Sequence, residues 1–350
     1  MALFTSPPQS ICILRLSAIG DVCNTIAAVQ AIQAHWPKTQ ITWVTGSLEA
    51  KLLESIQGVN IVVFDKKAGW RGYRDLWRQL HGQQFDALLH MQYALRASIA
   101  TLGIKAKYKL GFDADRAQDF QQLFTNVKVP SPQKMHVLDG LLAFNDTLGI
   151  PAEFPSWELN YSQQHADWVE PLLVGQRNLI IVPAASKGYK NWTAEGYVAV
   201  INHAVEKGWE VILAGSPAAI EVELGAKIEA LCSHTITNVI GQSSLMQMLA
   251  LLDMGDLVIA PDTGPTHMAN AMQTPVIGLY AHHNPQRTGP YRYLDYVVSA
   301  YEEAIVAETG KASRELEWRA RVKDKHAMQR IKAESVVAMF DHVVKSEALQ

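Results

Sequence analysis

Short apolar runs alternate with stretches of helical spacing along the whole chain. Residues 11–16 (ICILRL) read as a buried strand, and residues 20–36 carry apolar side chains three and four apart, as a helix requires. Strands are predicted again over 41–44 (ITWV), 59–64 (VNIVVF) and 85–90 (FDALLH). A short helix precedes the second of these, and a helix over 70–81 precedes the third. The alternation then restarts: strand 178–184, helix 193–208, strand 209–215, helix 217–232, strand 256–261, helix 265–272 and strand 274–280. Near-continuous apolar strands separated by helices describe a parallel sheet covered on both faces. Between the halves, residues 149–162 hold two prolines and no period, as a linker does. The pattern predicts an α/β protein of two consecutive doubly wound, Rossmann-like domains with a cleft between them.

Composition narrows the class. The chain has 350 residues, 48% hydrophobic and 19% charged, with a net charge of −3. That content excludes a disordered chain, and the near-neutral balance gives no sign of a nucleic-acid binder. Three widely spaced cysteines (Cys12, Cys23, Cys232) form no metal-binding or disulfide pattern, and Cys12 reads as a small buried hydrophobe. The first ten residues lack a signal-peptide pattern, and no apolar run reaches the roughly 18 residues of a membrane span. The expected location is therefore cytoplasmic. One tract departs from the average: residues 311–332 hold eight Lys/Arg against three Asp/Glu in a stretch read as helical. It reads either as a solvated helix packing one stripe on the body, or as a basic face meeting phosphate-rich lipid or saccharide at the inner membrane.

Three loops carry candidate chemistry. The usual dinucleotide and P-loop fingerprints are absent. After the first strand, a small-residue turn puts Gly20 and Asp21 at the C-terminal edge of the sheet, where open α/β folds bind ligands. Asp21 falls in the first turn of the following helix, so capping and catalysis both fit it. The segment APDTGPTH (260–267) delivers Asp262, Thr263 and Gly264 to a helix that opens on Pro265. Free N–H groups there, with the hydroxyls of Thr263 and Thr266, suit a diphosphate, and His267 lies one turn further on. In the third loop, residues 185–193, Thr193 is the expected N-cap of the next helix. Ser186 and Lys190 stand on the rim, with Lys190 placed to neutralise a phosphate.

Together, LRLSAIGDV, SKGYKNW and APDTGPTHMANAM followed by TPVIGLY resemble glycosyltransferase family 9, the bacterial ADP-heptose:lipopolysaccharide heptosyltransferases. FDALLHMQ also resembles the family's mid-domain strand. The resemblance implies two facing Rossmann-like (GT-B type) domains, here 1–155 for the acceptor and 156–325 for the donor, with a helix over 326–350 packing back on the first. It implies an inverting, metal-independent heptosyl transfer, without a cofactor, from ADP-heptose to a lipopolysaccharide core acceptor. Asp21 matches the general base, and Lys190 the lysine at the donor's phosphates or sugar. Asp262, Thr263, Gly264, Thr266 and His267 match the donor-binding turn, Ser186 a position near the diphosphate, and Arg116 an arginine facing the acceptor. The loops read as lining the cleft carry no Asp-x-Asp pair, which agrees with metal independence. Residues 281–291 (AHHNPQRTGPY) depart from the family's shorter loop at that place, a departure that bears on acceptor and donor sugar. Nucleotide-sugar epimerases and glycogen-phosphorylase-like enzymes share the two-domain plan, and a non-catalytic nucleotide-sugar binder is a further alternative.

Overall fold

The computed structural model describes residues 2–131 and 136–349, which divide into two compact units, Met1–Asn160 and Tyr161–Gln350. The first unit holds β1 (Ser10–Leu14), β2 (Gln40–Thr45), β3 (Val59–Val63), β4 (Phe85–His90), β5 (Ala106–Phe112) and β6 (Val127–Val129). The second holds β7 (Asn178–Ile181), β8 (Glu210–Leu213), β9 (Thr237–Asn238), β10 (Leu257–Pro261), β11 (Val276–Tyr280) and β12 (Val297–Ser299). All pairings between these strands are parallel.

The sheet orders are β3-β2-β1-β4-β5-β6 and β12-β11-β10-β7-β8-β9. Each is the doubly wound order, in which the chain leaves the first strand in one direction, then returns to its other side. The crevice at that reversal is where such sheets bind ligands. It opens between β1 and β4 in the first unit, and between β7 and β10 in the second.

Side-chain alternation explains why the central strands are legible. Leu179 and Ile181, Val211 and Leu213, Leu257 and Ile259, and Ile277 and Leu279 build one face of the second sheet, all buried. Ile180, Ile212, Val258 and Val276, pointing the other way, are buried as well, so each strand reads as a continuous apolar run. The outer strands lack that property. β5 carries Lys107 and Lys109, and β6, β9 and β12 are two or three residues long, which is why the hydrophobic pattern does not announce them.

One expectation is corrected, the helix over 311–332, and the structure adds detail at the linker and at the last helix. The division falls after Asn160, because the linker is fastened to the helix Ile19–His35. Trp157 donates its indole N–H to the Cys23 carbonyl at 2.8 Å, and Gln30 bonds both backbone groups of Glu158. The tract 311–332 is not a helix. It forms two short 3₁₀ turns, Ser313–Glu315 and Ala327–Arg330, joined by extended chain. Val322, Ala327, Met328 and Ile331 tuck into the second unit's core.

The last helix, Ala333–Ser346, also belongs to that core. Val336, Phe340 and Val343 are fully buried, and the Phe340 ring meets Trp209 edge-on at 5.3 Å. Asp341 accepts from His203 at 2.8 Å, which fastens the helix to Ala194–Glu206 of its own unit. Replacing Phe340 by Ala removes a ring from a filled core, so Phe340→Ala is expected to destabilise the second unit by about 3–5 kcal/mol. Denaturant titration measures it; a loss under about 1 kcal/mol would show that the helix is not part of that core.

Candidate functional site

In the second unit the crevice is built from the loops that follow β7, β10 and β11. Asn191 closes the first of them on itself, its Oδ1 accepting from the Ala185 N–H at 2.8 Å. Thr193 caps the next helix, accepting from the Gly196 N–H at 3.1 Å. Glycine stands at 196, where a capping box would place Glu, because a Cβ there would lie 2.4 Å from the Trp192 ring. With the loop's ends fixed, Lys190 reaches across to a residue 72 positions later. Its Nζ donates to the Asp262 carboxylate at 2.7 Å and to the Asp262 carbonyl at 3.2 Å. An ammonium has three donors, so one remains.

Asp262 leaves β10 at the head of the helix Gly264–Met272. Thr263 occupies the N-cap without a side-chain cap bond, and Pro265 sits in the first turn. The unsatisfied N–H groups of that turn, with the positive end of the helix, form an anion-binding head. Thr266 is fully buried, and its hydroxyl donates inward to the Pro261 carbonyl at 2.6 Å. The Thr266 hydroxyl is thus engaged within its own turn, while Thr263 is half-buried at the turn's head. His267 is buried under the turn, and Ser186 is exposed on the neighbouring loop.

Sequence reasoning missed a third partner. His283, from the loop after β11, donates Nδ1–H to Asp262 Oδ2 at 2.5 Å. Burial alone would raise the Asp262 pKa; the His283 hydrogen bond and the Lys190 charge override it and hold the carboxyl well below the usual range. A signal was present, since His283 lies within residues 281–291, the loop whose sequence departs from the family resemblance. The motif itself does not say where the loop folds.

In the first unit, the crevice holds Arg15, Asp21 and Gln92. Arg15 is 4% exposed; it donates to the Met91 carbonyl and pairs with Asp21 Oδ2 at 2.5 Å. The same oxygen accepts from the Ala18 N–H at 3.2 Å, so the capping role expected of Asp21 is met. Its side chain is nevertheless 40% exposed, with one carboxylate oxygen uncommitted among the described residues. Gln92 accepts from the Leu16 N–H at 3.0 Å, and Gln121 in turn donates to the carbonyls of His90 and Gln92. His90, the other titratable group at this sheet end, is fully buried, and burial with the Lys109 and Arg15 charges pushes its pKa down to about 3. It is a neutral structural residue, and Asp21 is the group that faces outward.

Arg116 lies elsewhere in the first unit. Its guanidinium donates to the carbonyls of Gly140, Val129 and Pro130 and lies 4.7 Å over the Phe112 ring, so it clamps backbone segments together. Beside it runs an Asp-x-Asp pair, Asp113 and Asp115. Asp113 is engaged by the Ser131 N–H at 2.6 Å and hydroxyl at 2.8 Å, which makes it a turn-closing group.

The comparisons agree with the fold. The family model for Glycosyltransferase family 9 (heptosyltransferase) matches residues 73–319. The chain is 48% identical over 341 residues, 97% of its length and 98% of the relative's, to the lipopolysaccharide core heptosyltransferase OpsX of Haemophilus influenzae. A family 9 glycosyltransferase structure from Veillonella parvula superposes with a TM-score of 0.80 at 17% identity, covering 97% of both chains. The Escherichia coli heptosyltransferase WaaC with ADP gives 0.73 at 18%, covering 95% of this chain and 99% of that one. The latter two show the fold; the family match and the full-length relative show that this chain belongs to glycosyltransferase family 9, the heptosyltransferases.

Proposed function

We propose that the protein transfers heptose from ADP-heptose to a hydroxyl of a lipopolysaccharide inner-core acceptor, with inversion at the anomeric carbon and without a metal. The observation that carries this reading is the Lys190–Asp262–His283 cluster at the head of the helix Gly264–Met272. One sheet crevice there offers a cation, an anion-binding helix end and a fixed carboxylate. The name of the Haemophilus relative supplies the acceptor class, and its near-complete coverage supports applying that class to the whole chain.

In this reading the donor lies on the second unit. The diphosphate sits at the Gly264 turn, with Thr263 and Ser186 beside it and Lys190 donating its third N–H. Asp262 turns its carboxylate to the hydroxyls of the sugar. The acceptor oxygen attacks the anomeric carbon from the face opposite the diphosphate, and the bond from that carbon to the diphosphate oxygen breaks. The acceptor's proton passes to Asp21, whose exposed carboxylate is held in place by Arg15. ADP departs with the negative charge, which Lys190 and the helix end stabilise. Positive charge fixed in place before reaction does here what a divalent ion does elsewhere.

No helix among the described residues is long and apolar enough to cross a membrane. Arg321, Lys323 and Lys325 are exposed on the tract 311–332, and we propose that they engage phosphates of the acceptor or of the membrane surface that carries it, on the cytoplasmic side. Binding to acceptor or to anionic vesicles should then weaken as salt rises. Binding that stays flat assigns these residues to solvent.

Incubation with ADP-heptose and a truncated core acceptor, followed by mass spectrometry of both, tests the reaction. Heptose on the acceptor is expected; an isomerised donor with untouched acceptor would indicate an epimerase. Asp21→Asn should lower turnover by about 10²–10⁴-fold while ADP binding is unchanged. Asn can still accept from Arg15 and Ala18, so the stability cost should stay near 1–2 kcal/mol. More than about a tenth of normal turnover would reduce Asp21 to a cap. Lys190→Ala should lower donor kcat/KM by about 10- to 150-fold, the loss of one charge-assisted bond. Unaltered donor kinetics would show that Lys190 serves only to neutralise Asp262.

A further inference from the structure

The loop after β11 and the basic tract are paired with each other. Val322 N–H donates to the His282 carbonyl at 3.0 Å, the His282 ring donates Nδ1–H to the Val322 carbonyl at 3.1 Å, and His283 forms an antiparallel bridge with Arg321. Tyr189, the neighbour of Lys190, meets the His282 ring edge-on at 4.7 Å. Both histidines are therefore set from behind, by a strap of chain that itself grips the core through Val322, Met328 and Ile331.

That arrangement leaves one polar atom without a use. A carbonyl oxygen only accepts, so the proton of the neutral His282 ring lies on Nδ1, and Nε2 is an acceptor. Nε2 is shut off from solvent and has no hydrogen-bond partner among the described residues; the residue is 4% exposed. His282 lines a cavity of about 10 Å³ together with Lys190, Asp262, His283, Tyr280 and Met328. Space of that size holds one water or one hydroxyl. A buried acceptor beside a paired carboxylate suits a group with a proton to give, and a sugar hydroxyl is such a group.

We propose that His282 and His283 read the sugar half of the donor, His282 by accepting a hydroxyl proton at Nε2 and His283 by holding Asp262 in position for a neighbouring hydroxyl. The inference rests on the donor reading given above, adds His282 to it and gives His283 its part. His283 is a positioning residue. When Lys190 leans to the diphosphate, His283 remains on Oδ2 and keeps the carboxylate paired, so its orientation survives the change. His282 is a specificity-determining residue, because an analogue without the matching hydroxyl leaves Nε2 unpaired in a dry site.

Titration of ADP and of ADP-heptose into four proteins tests this: the unaltered chain, His283→Ala, His283→Asn and His282→Asn. The asparagine amide reproduces the Nδ1–H donor, so His283→Asn retains the bond to Asp262. His282→Asn retains the bond to Val322 and deletes Nε2 together with the ring edge that meets Tyr189. ADP affinity should stay within about two-fold in all four, which also reports an intact site. ADP-heptose affinity should fall about 10- to 100-fold in His283→Ala and in His282→Asn, and return most of the way in His283→Asn. Equal losses for ADP and ADP-heptose, no loss for either, or no recovery in His283→Asn would overturn the inference. If the unaltered chain binds ADP-heptose no better than ADP and transfers nothing, the donor reading itself falls; if it transfers heptose while the variants fail to separate the two ligands, only this inference does.

Discussion

A carboxylate that is largely withdrawn from water must be compensated, and the second unit is arranged around compensating Asp262. An isolated buried carboxylate costs several kcal/mol, and removing either partner of such a group is strongly destabilising. Here one oxygen takes both a lysine and a histidine. Those partners come from the ends of β7 and β11, so satisfying one charge fixes three strand-end loops at once. The backbone devices around them serve the same end: the Asn191 closure of the β7 loop, the Thr193 cap and the His282–Val322 pairing each remove freedom from a loop that carries a partner.

The first unit solves the converse problem. There the cation is buried and the acid exposed: Arg15 is 4% exposed beneath Asp21 at 40%. A carboxylate tethered at one oxygen and wet at the other is placed to take a proton from outside. A carboxylate gripped by two donors, with its negative charge stabilised, is placed to accept hydrogen bonds without taking the proton. The two acids occupy the same topological place, the switch point of a doubly wound sheet, and differ in exposure and pairing because their counter-charges differ in depth.

How much of this was legible follows from what hydrophobic pattern and motif can encode. The central strands were readable because both of their faces are buried; β5 was not because Lys107 and Lys109 interrupt its apolar run, and β6, β9 and β12 were not because two or three residues make no period. Lys190 and Asp262 were readable because each sits in a turn with its own chemistry, although only the fold shows them in contact. Arg116 matched by position alone, and in the structure its two terminal guanidinium nitrogens donate to three backbone carbonyls. The tract 311–332 was misread as a helix, yet the gaps between Leu316, Trp318, Val322, Met328 and Ile331 run 2, 4, 6 and 3, which no helical face supplies.

That misreading and the missed histidine have one physical origin. A loop after β11 that carries a ring as far as Asp262 needs partners for its own backbone, and it finds none in its own sheet, since β12 pairs with β11 only as far as Tyr280. The strap provides them through Val322 and Arg321. Bound this way, the strap must be extended at 321–322 and cannot be helical there, while its apolar residues still have to reach the core, which they do singly. The loop after β11 and the irregular tract are thus one device divided between two stretches of sequence, and neither stretch shows the other's purpose. Local pattern encodes an element when its partners are its own neighbours. Here the partners lie about forty residues apart, and only the register of a two-residue pairing, set by the fold, brings the His283 imidazole to the carboxylate.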